Sequence, residues 1–322
     1  MKVLVTGGAG YIGSHVAWAL IDAGHEVVIL DNLTTGVREN VPPGATFIEG
    51  DVGDAGDVDR ALEGVEAVMH FAANIVVPES VADPLKYYGN NTVRVHSLLS
   101  RCVAAGLDKF VFSSTAAVYG TPAVDKVHET TPLAPINPYG RSKMCTEGML
   151  RDVGHAHGLR HVILRYFNVA GADPQGRTGQ STPDATHLIK VACQAALGRR
   201  DGMAIFGTDF DTHDGTGVRD YIHVSDLATA HVLALDHLAA GGDSATLNCG
   251  YGHGYSVREV VDTVREVSGV DFEAKEVGRR AGDPASLTAD SGALEALLGW
   301  EPEYDDLRVM VRTALEWERR QG

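Results

Sequence analysis

A run of glycines near the start constrains this chain most. Lys2–Thr6 reads as a short β-rich run, GGAGYIG follows at once, and SHVAWALIDAG then places apolar residues at helical spacing. Gly7, Gly10 and Gly13 therefore stand between a strand and a helix, and Gly8, Gly10 and Gly13 also satisfy G-x-G-x-x-G. Such a turn needs residues without a Cβ, so that the backbone can bend tightly, approach a pyrophosphate and pack helix on strand. The helix N-terminus then offers unpaired N–H groups and a positive dipole end to phosphates. The next strand, HEVVIL, ends at Asp31, about 20 positions beyond the loop. A carboxylate there accepts from both ribose hydroxyls and repels a 2′-phosphate, and no arginine follows it directly. NAD is expected over NADP.

The pattern repeats. ATFIEGDV, EAVMHFAAN, KFVFSST and RHVILRYFNV read as further strands, with helical segments between most of them. The alternation predicts an α/β fold with a doubly wound, mostly parallel Rossmann sheet, whose ligands lie beyond the carboxyl ends of the strands. Asp51, Phe71, Ala72, Thr115 and Asn168 all fall at or just past such ends. Residues 1–170 are expected to form the NAD-binding domain and 171–322 a smaller α/β substrate-binding domain. The second domain is expected to be partly discontinuous, because a helix from Ser225 to about Leu238 and the strand ATLNCG can return to the main sheet.

Composition narrows the partners. The formal charge is −16, and the 43 acidic residues are not gathered into a tail, which argues against nucleic acid or an anionic membrane. No apolar run approaches the roughly 18 residues of a spanning helix. The chain opens directly on a strand, MKVLVTGG, which does not read as a signal peptide. Cys102, Cys145, Cys193 and Cys249 are widely spaced, as expected of reduced thiols in a cytoplasm. No metal site is expected. His155, His157 and His161 fall where a helix end runs into a strand, and DFDTHDG puts Asp214 where a calcium loop needs its sixth-position glycine.

Tyr139 and Lys143 stand four residues apart in YGRSK, about one helical turn, so both leave the same face. Tyrosine is a poor base with its pKa near about 10, and a nearby ammonium stabilises the phenolate. On spacing alone this is an ordinary surface pair. Beside a dinucleotide loop, with the Thr115 hydroxyl at a strand end, it suggests proton chemistry coupled to hydride transfer.

These residues carry a likeness over nearly the whole chain. VTGGAGYIGSH, LDNL, EGDV, HFAA, YYGNN, FSSTAAVYG, NPYGRSK, LRYFNVAGADP, GRRDGMAIFGTDFDTHDGTGVRDYIHVSDLA and RRAGDPASLTAD resemble the extended short-chain dehydrogenase/reductase family. More narrowly they resemble its UDP-sugar 4-epimerases, which interconvert UDP-glucose and UDP-galactose. DGTGVRDYIHV, with Arg219 and Tyr221, is the more specific signal.

The resemblance implies that Tyr139 is the catalytic base and that Lys143 binds the nicotinamide ribose and lowers the Tyr139 pKa. Thr115 would hydrogen-bond the sugar 4-hydroxyl. NAD contacts would include Gly7, Gly10, Tyr11, Ile12, Gly13, Asp31, Asn32, Asp51, Val52, Phe71, Ala72, Ala73, Asn91, Tyr139, Lys143 and Phe167. UDP-sugar contacts would include Glu79, Asn168, His187, Leu188, Phe206, Arg219, Tyr221, Arg280 and Asp283. Leu287 would wall the C2 side of the sugar, where tyrosine resembles enzymes restricted to glucose and galactose and smaller residues resemble those that accept N-acetylated sugars. Ile75 stands where some members carry lysine. A homodimer is implied, pairing helices near Thr92–Ala105 and Tyr139–His155. The related 4,6-dehydratases place Asp-Glu after the threonine, and Ala116-Ala117 here can neither donate nor accept a proton. From another class, the chain could be a non-catalytic NAD-binding sensor.

Overall fold

The computed structural model describes residues 1–124, 126–182, 185–280 and 283–321, so Ala281 and Gly282 of the RRAGDPASLTAD segment lie outside the described residues. Seven parallel strands form the main sheet. Across it they run Ala245–Cys249, Arg160–Tyr166, Lys109–Thr115, Ala67–His70, Lys2–Thr6, Glu26–Asp31 and Thr46–Glu49. The strand order reverses beside Lys2–Thr6, which puts the glycine loop at the topological switch point where such sheets bind ligands.

The central strands are apolar nearly throughout because both faces are covered. Val3, Val5, Ile29 and Leu164 pack on one side with Val16 and Leu20 of the Tyr11–Asp22 helix and Leu227 and Leu235 of the Val224–Ala239 helix. Leu4, Val28, Val68 and Phe110 pack on the other with Leu98 of the Arg94–Ala104 helix and Leu150 of the Pro138–His157 helix. The Val224–Ala239 helix and the Ala245–Cys249 strand thus rejoin the main sheet after a long excursion.

That excursion and the C-terminal segment form a second core. Ile189 and Cys193, Val260 and Val264, and Met310 and Val311 meet where the Leu188–Ala196, Val257–Ser268 and Leu307–Arg320 helices converge. Short strands pair among themselves outside the main sheet. Val218–Arg219 lies between Tyr255–Ser256 and Ser286–Ala289, Tyr221–His223 pairs with Asn168–Ala170, and Met203–Phe206 pairs with Ala274–Val277.

Candidate active site

The glycine loop has no room for side chains. A Cβ on Gly7, whose φ is +72°, would stand 2.6 Å from the Ala72 amide nitrogen, and one on Gly13 would stand 2.3 Å from the Gly7 carbonyl oxygen. Gly10 begins the Tyr11–Asp22 helix, and no side chain caps its first-turn amides, so they remain suited to an anion. Asp31 is 7% exposed, with one carboxylate oxygen accepting from Ala9 N and the other from Leu33 N, both at 2.9 Å. Burial raises its pKa and these two amides pull it back down. Each oxygen keeps a further lone pair for a ribose hydroxyl. Gly36 runs against this carboxylate, where a Cβ would stand 2.8 Å from Oδ1. The cradle fits a dinucleotide with a free 2′-hydroxyl.

Around it, Asp51 accepts from Asn32 at 3.0 Å and from Arg94 at 2.7 Å, while Val52 is buried. Tyr11 donates to the Gly171 carbonyl at 2.6 Å, which ties the loop to the second half of the chain. Asn91 is 2% exposed and accepts from Asn74 N and donates to Asn74 O, both at 2.9 Å. Its side chain therefore braces the segment that follows Phe71, Ala72 and Ala73.

Tyr139, Lys143 and Thr115 converge. The Pro138–His157 helix starts at Asn137, which accepts from Gly140 N at 2.8 Å, with Pro138 at its first position. Thr115 ends its strand, and its hydroxyl stands close enough to the Tyr139 phenol to lower its pKa. Lys143 is 2% exposed and donates to the Ser113 carbonyl at 2.7 Å. Burial pushes the Lys143 pKa down to about 7, and the nearby Glu147 carboxylate acts against it. Burial raises the Tyr139 pKa, and the Thr115 hydroxyl offsets this only in part. The ammonium is itself short of water and points its proton at a backbone carbonyl.

The facing wall gathers residues distant in sequence. Arg219 and Leu287 are register partners on adjacent strands, and Tyr221 is the partner of Asn168. Arg219 donates to the Val218 carbonyl at 2.8 Å and lies 4.0 Å from Asp283, and burial lowers its pKa. The Arg280 guanidinium stacks over the Phe206 ring at 3.6 Å. Leu287 and Phe167 pack with Ala116, Val118 and Tyr119, immediately past Thr115. Tyr11, Asn168, His187, Leu188 and Tyr221 line one small cleft of about 40 Å³. His187 is held neutral there, its pKa pushed down by burial to about 4. Glu79 stands apart: its carboxylate takes Lys86 at 2.5 Å and the Tyr87 hydroxyl at 2.9 Å, and Tyr87 lies edge-on to Tyr139.

Sequence reasoning missed Gln180, Lys190, Trp317 and Glu318 in this cleft. Lys190 and Glu318 form a buried ion pair, and Gln180 bonds with His187 at 3.1 Å. Only the rarity of a buried lysine could have flagged Lys190, because its helix otherwise reads as amphipathic. Ala314, Trp317 and Glu318 reach this cleft from the last helix, which carries no motif.

Glycine loop, ribose carboxylate and a Tyr–Lys–Thr triplet at the strand ends define a nicotinamide-dinucleotide enzyme of the Rossmann type. The chain belongs to the NAD dependent epimerase/dehydratase family, whose model matches residues 3–250. Over 320 residues it is 62% identical to a UDP-glucose 4-epimerase from Azospirillum brasilense, covering 99% of this chain and 92% of that one. Two solved structures are also similar. A UDP-glucose 4-epimerase from Brucella ovis in complex with NAD superposes with a TM-score of 0.95 at 44% identity, covering 98% of each chain. A UDP-Glc/GlcNAc 4-epimerase from Campylobacter jejuni gives 0.87 at 48% identity, covering 99% of each.

Proposed function

We infer that this chain is an NAD-dependent isomerase that interconverts UDP-glucose and UDP-galactose by inverting carbon 4. The observation that carries the reading is the convergence of Tyr139, Lys143 and Thr115, with Leu287, the strand partner of Arg219, packed just past Thr115, and full-length likeness to UDP-glucose 4-epimerases behind it. NAD, when bound, supplies reversible hydride acceptance at carbon 4. The Gly7–Gly13 turn and Asp31 would hold its pyrophosphate and ribose, with residues 1–170 serving the dinucleotide and most of 171–322 the UDP-sugar.

Tyr139 removes the 4-hydroxyl proton, with Thr115 bonded to both phenol and sugar hydroxyl. The ammonium of Lys143 has donors beyond the one given to Ser113, enough for ribose hydroxyls, and its charge favours phenolate once the site is filled. The same tyrosine returns the proton after the sugar has presented its other face. That turnover requires a firm grip on uridine and diphosphate, supplied by Arg219, Arg280 and Phe206, and a loose one on the sugar.

Ala116 is buried in the turn after Thr115, where neither it nor Ala117 can supply the acid and base that dehydration would need at that position. A second substrate has a specific observation in its favour. Leu287 is smaller than tyrosine on the wall beside Phe167, so N-acetylated UDP-sugars fit the reading too. Four unpaired thiols support a cytoplasmic setting, and no helix among the described residues is long and apolar enough to cross a membrane. Val81, Leu85 and Val93 are 64, 79 and 65% exposed, and this apolar surface supports a homodimer.

Purified protein assayed with UDP-galactose and UDP-GlcNAc side by side, without added NAD, tests the reading. Turnover of UDP-galactose is expected. Stoichiometric bound NAD with no turnover of any UDP-sugar would favour a sensor instead.

A further inference from the structure

Three consecutive strand residues each hold one side chain of the Pro138–His157 helix. The Ser113 carbonyl accepts from Lys143 at 2.7 Å, Ser114 Oγ donates to Glu147 Oε1 at 2.6 Å, and the Thr115 hydroxyl lies near the Tyr139 phenol. Tyr139, Lys143 and Glu147 are spaced four apart, on one helix face. Glu147 is fully buried. Arg165, from the neighbouring strand, grips both its oxygens, Nε to Oε1 at 2.9 Å and Nη2 to Oε2 at 2.6 Å. Arg151 adds a contact to Oε2 at 3.0 Å. Arg165 Nη1 continues to the Tyr119 hydroxyl at 2.9 Å, which donates to Asn248 at 2.6 Å. A well-packed apolar pair would hold a helix on a sheet as firmly as a buried ion pair does. The charge at this position therefore calls for a reason beyond packing.

We propose that Glu147 is a positioning residue for Tyr139 and Lys143, anchored by Ser114 and Arg165. It sets the register of the helix against Ser113 and Thr115, and it keeps a negative charge one turn behind the Lys143 ammonium. The proposal rests on Tyr139 acting as the base. Burial drives the Lys143 pKa down, and Glu147 is the carboxylate that raises it. The other groups facing this pair do not replace it. His70, from the Ala67–His70 strand, is held neutral by burial with Lys143 adding to the effect. Burial raises Tyr166, from the Arg160–Tyr166 strand, well above the ordinary tyrosine range. Tyr87, from the Pro84–Tyr88 helix, lies against Tyr139 and is bonded to Glu79. Arg151 and Arg165 face Glu147 itself.

In the filled site, where the Lys143 and nicotinamide charges bring the Tyr139 pKa below that of Lys143, the working form pairs a Tyr139 phenolate with a Lys143 ammonium, so kcat rises as Tyr139 ionises and falls as Lys143 loses its proton. Glu147→Gln removes the charge that raises the Lys143 pKa. The falling limb then moves to lower pH, by about one unit or more for charges roughly 6 Å apart. Misplacement of the pair lowers kcat at neutral pH by about tenfold or more.

The experiment measures kcat across roughly pH 6 to 10 for wild type, Glu147→Gln and Glu147→Gln/Arg165→Met. The double variant keeps the core neutral where the single one strands a buried arginine. A falling limb displaced to lower pH in a folded variant supports the proposal. A lower rate with both limbs unmoved, or an unchanged rate, overturns it. A double variant that cannot fold overturns it as well, because the pair would then serve the fold and not the site. Tyr139→Phe run alongside tests the underlying reading separately: normal turnover there means Tyr139 is not the base, whatever the Glu147 profiles show.

Discussion

On one wall of the candidate site, Tyr139, Lys143 and Thr115 sit on a 20-residue helix and a seven-residue strand of the main sheet, locked by the Ser113 and Ser114 contacts. On the other, Arg219 belongs to a two-residue strand and Leu287 to one of four residues, while Arg280 is exposed and rests on the face of Phe206. The Arg219 guanidinium donates to a neighbouring carbonyl and lies 4.0 Å from a carboxylate. The two walls meet different demands. Groups that move protons must be placed within a fraction of an ångström before the substrate arrives. Groups that grip a diphosphate gain their strongest hydrogen bonds only when it arrives. A sugar that must present both faces needs the first kind of wall beside the ring and the second kind at its nucleotide.

The sharpest way to break this comparison is Tyr139→Phe. It should cut kcat by about a thousandfold or more while leaving the fold and bound NAD in place, read by steady-state assay, circular dichroism and cofactor content. A large change in KM instead would erase the distinction between the walls. Arg219→Ala should do the reverse, raising KM about ten- to a hundredfold with kcat much less affected, because one charge-assisted partner of the diphosphate is lost. Arg280→Ala removes an exposed stacked cation and should raise KM about two- to fivefold. Leu287→Tyr is the finest probe. UDP-galactose turnover should stay within about twofold while any UDP-GlcNAc turnover falls severalfold, as added bulk closes the C2 side.

The two walls also differ in how far the sequence revealed them. The dinucleotide side was legible because its logic is local: a strand, glycines without Cβ, a helix start and an acidic residue at the next strand end. Tyr139 and Lys143 were legible as one helical turn. The facing wall depends on pairings across long stretches of chain, such as Arg219 with Leu287 and Tyr221 with Asn168, which no local periodicity encodes. Family likeness supplied those residues, and the fold shows why they meet. Glu147 escaped notice because a glutamate on an amphipathic helix ordinarily faces water, and only the strand behind it reveals its partners. Trp317 and Glu318 were hidden in the same way, on a C-terminal helix whose pattern reads as simple core packing. The burial that raises the Tyr139 pKa was hidden for a different reason. The spacing shows the ammonium four residues away but not the dehydration that both groups share.

The central claim is that carbon 4 is inverted by a hydrogen that leaves and returns within one closed site. Conversion of UDP-galactose by the purified protein in deuterium oxide, without added NAD, tests it most directly. UDP-glucose carrying no deuterium at carbon 4 is the predicted product by NMR and mass spectrometry. Deuterium at carbon 4 would show exchange with solvent during inversion and would contradict the account.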